Sequence, residues 1–233
     1  MRIGYLALPL ALVAPLSVAK AQHPLVLERL ETWNEAAPAP SADVLESAVR
    51  DKAETIYTAR DTCPDSAVTI DSVKPATADG YVFGALVRGA VKNAWFVTAR
   101  MPGCDDAPVR YMVMQDIDDS LKTIRVNRGT SHAWDSLIGD TLPSARLAAT
   151  AALRRAGIDC SDEDGASLGV TRIASEEPDL GEEIFGIRYS GRWTEVWPIE
   201  TCDRTVEVLI RFTADGDGGA FTRIPGDEIR VLP

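Results

Sequence analysis

Gly191-Arg192-Trp193-Thr194-Glu195-Val196-Trp197-Pro198-Ile199-Glu200-Thr201-Cys202 is the stretch that decides the fold. It alternates with the period of two that marks a strand, so positions 193, 195, 197 and 199 share one face. Just upstream lie Ile184-Phe185-Gly186 and the hairpin-turn signal Ser190-Gly191. The same order occurs earlier in the chain as Val82-Phe83-Gly84, Gly89, Trp95-Phe96-Val97 and Cys104-Asp105. Phe83/Phe185, Gly84/Gly186, Gly89/Gly191 and Trp95/Trp197 are each 102 residues apart, and Cys63/Cys160 and Cys104/Cys202 are 97 and 98 apart. An ordered set at a nearly fixed offset is the signature of an internal repeat. The sequence therefore predicts a tandem duplication.

Each predicted unit opens on a helix. In the first, Ser41 is a plausible N-cap, and Leu45, Val49, Ala53 and Ile56 follow at helical spacing. In the second, Pro143-Ser144 opens a helix carrying Leu147, Ala148, Ala151 and Ala152. Arg154 and Arg155 suit its C-terminal dipole, and Gly157 sits beyond its end. Strand signals follow at 67–73, 81–87, 94–99, 109–115 and 123–126, then at 167–174, 183–189, 193–200, 205–213 and 220–224. One helix followed by four or five antiparallel strands is an α+β unit, the arrangement of cystatin-like or NTF2-like folds.

The organisation expected is a signal peptide over 1–21, a short helix and Pro/Ala linker over 22–40, and α+β repeats over 41–139 and 140–233. Arg2, the apolar run 5–14 and Ala19-Lys20-Ala21 supply the basic, apolar and small-residue parts of an export signal. That run is too short and proline-broken for a membrane span, and no later run approaches one. Val26, Leu30 and Trp33 share a helical face before Ala36-Ala37-Pro38-Ala39-Pro40. Cys63 to Cys104 spans 41 residues and Cys160 to Cys202 spans 42. In an exported chain these four cysteines predict one disulfide per unit, Cys63–Cys104 and Cys160–Cys202. No paired Cys-x-x-Cys ligands favour zinc.

The chain has 233 residues, a formal charge of -11 and only two histidines. Such acidity disfavours nucleic acid and anionic membrane surfaces as partners. The chain contains no phosphate loop, dinucleotide fingerprint, G-x-S-x-G or zinc-protease motif. Cofactors and metals are not expected.

The candidate chemistry centres on Glu195. A carboxylate on the Trp193/Trp197/Ile199 face is a candidate general acid or base, or a ligand grip, and the two tryptophans are candidate ligand-binding residues. The alternative is a solvent-turned Glu195, or one paired with Arg188. The position equivalent to Glu195 in the first unit is Asn93. Ser131-His132-Ala133-Trp134-Asp135 holds an internal histidine, but adjacent loop residues do not make a catalytic triad. Asp215-x-Asp217 and Asp162-x-Asp164-Gly165 resemble fragments of calcium loops and lack the distal glutamate; Asp and Gly are also ordinary turn residues.

Gly191–Trp197, with Thr201-Cys202 and the strand 206–212, resembles a W-x-E-x-W…C pattern of small, largely uncharacterised exported proteins of Gram-negative bacteria. The resemblance covers about 30 residues. In that pattern a glycine usually follows the cysteine, where this chain has Asp203. The resemblance implies a bacterial envelope protein and carries over no activity. The expectation is a periplasmic or secreted, non-enzymatic binding or interaction module whose partner is a protein or an envelope component. Two other readings compete with it. One is a small-molecule binder or NTF2-like enzyme with Glu195 in a cavity. The other is an inhibitor or immunity-type protein whose acidic surface blocks a basic partner.

Overall fold

The computed structural model describes residues 24–57, 68–101, 105–160 and 165–233. The expected signal segment 1–21, the expected bridge Cys63–Cys104, and Asp162 and Asp164 lie outside them. The chain is a mixed α+β fold. In order it runs α1 (Pro24–Ala36), α2 (Ala42–Tyr57), β1 (Thr69–Pro75), α3 (Gly80–Val87), β2 (Val91–Met101), β3 (Asp105–Asp116), β4 (Leu121–Gly129) and α4 (Asp135–Arg155). It continues with β5 (Ser167–Leu168), β6 (Val170–Glu176), β7 (Glu183–Ile184), β8 (Ile187–Arg188), β9 (Arg192–Thr201), β10 (Arg204–Ala214), β11 (Ala220–Arg223) and β12 (Arg230–Val231).

One large sheet runs β1-β2-β3-β4-β6-β9-β10-β11, with β5 beside β9 and β12 beside β10. Every pairing in it is antiparallel except β4 with β6, which is parallel and only two residue pairs long, Arg128↔Val170 and Gly129↔Thr171. This short seam joins the two halves of the sheet. Gly129 has φ +86°, and a Cβ there would collide with the Thr171 backbone oxygen, so the seam requires glycine. The hairpin β7–β8 stands apart and turns at Phe185-Gly186. It docks on the first half: Ala78 N donates to Phe185 O at 3.0 Å. A Cβ on Gly186 would lie 2.7 Å from Pro75 O.

Strand alternation sorts the apolar side chains into two cores. In the smaller, Leu45, Val49 and Ala53 of α2 cover Trp95, Val97, Tyr111 and Val113. In the larger, Ala145, Ala149 and Leu153 of α4 meet Trp197, Ile199, Val206 and Val208. That core also takes Val82 and Leu86 of α3 and the opposite face of the first half, Phe96 and Met112. Leu30 of α1 is fully buried, and Trp33 meets Phe83 edge to face at 5.8 Å.

Three expectations fail. The strand expected over 183–189 is broken at Phe185-Gly186, whose positive φ values of 50° and 96° fold it into the hairpin β7–β8, and β8 does not pair with β9, so Ser190-Gly191 turns no hairpin. Residues 81–87 form a helix rather than a strand. Val82 and Leu86, four apart, are the buried pair, and Asp79 caps the helix by accepting from Tyr81 N at 2.9 Å. The second unit's helix starts at Asp135, not Pro143, which lies inside it, so the boundary expected between residues 139 and 140 is helical. Proline at 143 reads as a helix start because proline favours the first turn.

Cys160 and Cys202 form a disulfide with Cα atoms 5.9 Å apart, fastening the end of the α4 segment to the β9–β10 turn. Cys202 and Asp203 form that turn with φ values of 51° and 54°, a two-residue hairpin loop with both residues left-handed. Asp203 thus occupies a position where glycine is least strained.

Candidate functional site

Glu195 lies on β9 between Trp193 and Trp197, on the face that strand alternation assigns it, and is fully buried. Both carboxylate oxygens are engaged. His132 N donates to Oε1 at 2.7 Å, Ala133 N at 3.1 Å and Trp193 Nε1 at 2.9 Å. Ser131 Oγ and Trp197 Nε1 each donate to Oε2 at 2.7 Å. Five donors compensate the desolvation that an isolated buried carboxylate would suffer. Glu195 thereby pins the segment that leads into α4. Asn93, 102 residues earlier, is also fully buried; its Nδ2 donates to Ala37 O at 2.5 Å in the segment that leads into α2.

The segment pinned by Glu195 forms one wall of a cleft of about 260 Å³. The first half contributes Ser72, Lys74, Phe96, Thr98 and Arg110. The seam contributes Asn127 to His132, save Arg128, and the second half contributes Ile173, Glu183 and Arg188. The volume falls just below the ~300–1,000 Å³ usual for drug-sized ligands, so it suits a small molecule. In a chain of charge -11, this cleft gathers three fixed cations against one lining carboxylate. Glu183 pairs with Lys74 at 3.2 Å at the partly exposed rim.

The two arginines have neutral partners only. Arg110 donates through Nη1 to Ser131 O at 3.4 Å and through Nη2 to Ala133 O, and it lies 5.2 Å over the Phe96 ring. Arg188 donates through Nη1 to Gly181 O and through Nη2 to His132 Nδ1 at 3.2 Å. Neither Nε has a partner. Burial pushes the Arg110 guanidinium below its usual pKa; the charge of Glu195 opposes this. A guanidinium offers only donors, so His132 Nδ1 must accept and Nε2 must carry the hydrogen. Nε2 then donates to Glu176 Oε1 at 2.6 Å. That contact holds the exposed Glu176 carboxyl below its usual range. The result is a guanidinium–imidazole–carboxylate chain along the cleft wall. Asn127, only 3% exposed, completes the floor: its Nδ2 donates to Thr171 Oγ1 at 3.0 Å, and its Oδ1 has no partner.

The other residues singled out in the sequence lie as follows. Trp193 and Trp197 are buried, and Trp193 stacks on Phe212 at 5.0 Å. Ser131 and His132 serve Glu195 and line the cleft. Arg188 does not pair with Glu195. Its strand β8 pairs with β7 rather than β9, which turns it to His132. Asp215 accepts from Asp217 N at 2.8 Å and Gly219 N at 3.0 Å, so this carboxylate closes its own turn. Among the described residues no cluster of three His, Cys, Asp or Glu side chains could hold a metal, and no helix is long and apolar enough to cross a membrane.

Sequence reading missed Lys74, Arg110 and Asn127, and named Arg188 only as an alternative partner of Glu195. Arg110 did carry a signal: it falls on the strand face of Met112 and Met114, a charge on an apolar face just as Glu195 is. An acid pair, Asp79 and Asp135, also escaped notice. Asp79 accepts from Tyr81 N and Ser136 N, each at 2.9 Å, and joins the first turns of α3 and α4. Burial raises its pKa. Burial, with the charge of Asp79 behind it, lifts Asp135 to about 6. The chain matches no protein-family model, and neither curated proteins nor solved structures give a match.

Proposed function

We propose that this chain is an exported, non-enzymatic binding module, built by internal duplication, that holds a small ligand in the cleft between its halves. The observation that carries the reading is the cleft itself: residues from both halves converge on it, and its two arginines are hydrogen-bonded to neutral acceptors alone. Clefts with a few convergent polar groups are where small ligands bind.

Several observations support duplication of a cystatin-like or NTF2-like unit. The strand orders β1-β2-β3-β4 and β6-β9-β10-β11 run side by side. α2 and α4 cover the faces that carry Trp95 and Trp197. Asn93 and Glu195 each anchor the segment before their unit's helix. Export is supported by the disulfide, which suits an oxidising compartment, and by the signal-like first 21 residues. The resemblance to exported proteins of Gram-negative bacteria favours the periplasm. An enzyme reading with Glu195 as acid or base is less well supported, because five donors already occupy its oxygens.

The test is a thermal-shift panel of small polar molecules on the protein purified from the periplasm. A stabilising compound is expected, with its effect lost in Ser72→Phe, which fills the cleft from the edge strand. A panel with no stabilising member would overturn the reading.

A further inference from the structure

Each arginine in the cleft uses two of its five N–H donors on the protein, and neither touches a carboxylate. Charges withdrawn from water are normally paired, because an unpaired one carries a large desolvation penalty. Here backbone carbonyls and an imidazole nitrogen position the guanidiniums without neutralising them. The charge of Glu195 acts on Arg110, but its oxygens are filled by indole, hydroxyl and backbone donors. Lys74 adds a third cation at the rim, already shared with Glu183. Such a wall has the chemistry of an anion site: fixed donors, low dielectric and a positive field focused in an acidic molecule.

A bare anion does not use the whole lining. The hydroxyls of Ser72, Thr98 and Thr130 line the same cleft and can bond a polar ligand of either sense.

We infer that the cleft binds a small oxyanion, a carboxylate or a phosphate, that also carries a hydroxyl group: Arg110 and Arg188 hold the anionic group, and the hydroxyls of Ser72, Thr98 and Thr130 receive the ligand's own hydroxyl. This rests on the binding-module reading above and names its ligand class. Arg188 adds a consequence. Its Nη2 contact to His132 sets the guanidinium, so the site is preorganised by the chain that ends at Glu176.

Isothermal titration calorimetry on the full chain tests the inference with four probes: lactate, inorganic phosphate, acetate and glycerol. Lactate or phosphate should bind, and the stronger of the two tells a carboxylate source from a phosphate source. Acetate, without a hydroxyl, should bind more weakly, and glycerol, without a charge, should not bind. Affinity should fall as salt rises from about 0.02 to about 0.2 M, since screening tightens over that range. Arg188→Gln should weaken the bound probe roughly 10- to 100-fold, the usual worth of a charge-assisted contact. Arg188→Lys should recover part of that loss, and Lys74→Gln should cost only a few-fold. Arg110→Gln also removes support from Ser131 and Ala133, so Arg188→Gln and Ser72→Phe are the deciding variants, each with its urea midpoint measured.

Undiminished binding in Arg188→Gln overturns the inference. So does a neutral ligand that binds, and is lost in Ser72→Phe, while the anions do not; the binding-module reading then survives. If neither the anions nor any member of the thermal-shift panel binds, both fall.

Discussion

Glu195 carries a carboxylate where no water reaches, and the fold accommodates it by turning two indoles, a hydroxyl and two amides toward it. A glutamine there keeps the shape but, whichever way the amide is turned, brings an NH2 against backbone or indole N–H groups that can only donate. Glu195→Gln should therefore lower stability by about 3–5 kcal/mol in urea unfolding, as when one member of a buried charged network is lost. A loss below about 1 kcal/mol would mean that the network does not hold the 131–133 segment. Asp135 makes a different claim. Its folded pKa of about 6 lies above the ordinary 3.8, so the folded chain binds this proton more tightly than the unfolded chain. The sign follows: its stabilising contribution is complete below about pH 4 and lost as pH rises through about 6. Asp79, raised by burial, acts in the same direction. Glu176, Asp43 and Asp118 are lowered and act in the opposite sense, their contribution fading as pH falls from their ordinary values of 4.5, 3.8 and 3.8, and the parent and the variant share them equally. Denaturant midpoints from pH 4 to 7 should therefore shift in favour of Asp135→Asn over the parent as pH rises. Parallel profiles would refute the assignment.

At the scale of elements, the seam and the disulfide set the local predictions. Gly129→Ala forces a Cβ into the Thr171 backbone at a positive φ, so it should cost about 2 kcal/mol or more by urea unfolding. Replacing Cys160 and Cys202 by serine opens a bridge that spans 42 residues, worth roughly 4 kcal/mol in chain entropy, read as a lower unfolding midpoint. Both concern connections, and connections are where the sequence was hardest to read. β2, β3, β9 and β10 were legible because residues such as 193, 195, 197 and 199 alternate along one face. The helix α2 was legible from Leu45, Val49 and Ala53. The helix α3 was not, because an apolar run of seven residues fits a buried strand as well as a short helix. The start of α4 was masked by Pro143. The cleft was invisible because Arg110 and Arg188 meet only through the seam and the docked hairpin, neither of which leaves a periodic trace. Glu195 was found by its face, but its five donors come from a loop and from ring nitrogens, which periodicity does not locate.

At the scale of the whole molecule, the larger core draws Val82, Phe96 and Met112 from one half and Trp197, Val208 and Phe212 from the other. A cut at residue 139 would also pass through α4. The halves should therefore unfold together, in one transition common to near- and far-ultraviolet circular dichroism. Polypeptides 41–139 and 140–233 made separately should not fold. Two resolved transitions would show that the shared core does not couple them. Three of the five tryptophans, Trp134, Trp193 and Trp197, crowd around the Glu195 network, and Trp193 lies 6.3 Å from the His132 ring. The molecule thus carries its own optical label. A ligand that shifts His132 changes the surroundings of an indole whose N–H is tied to a carboxylate, and the intensity and colour of the intrinsic emission report occupancy without any dye.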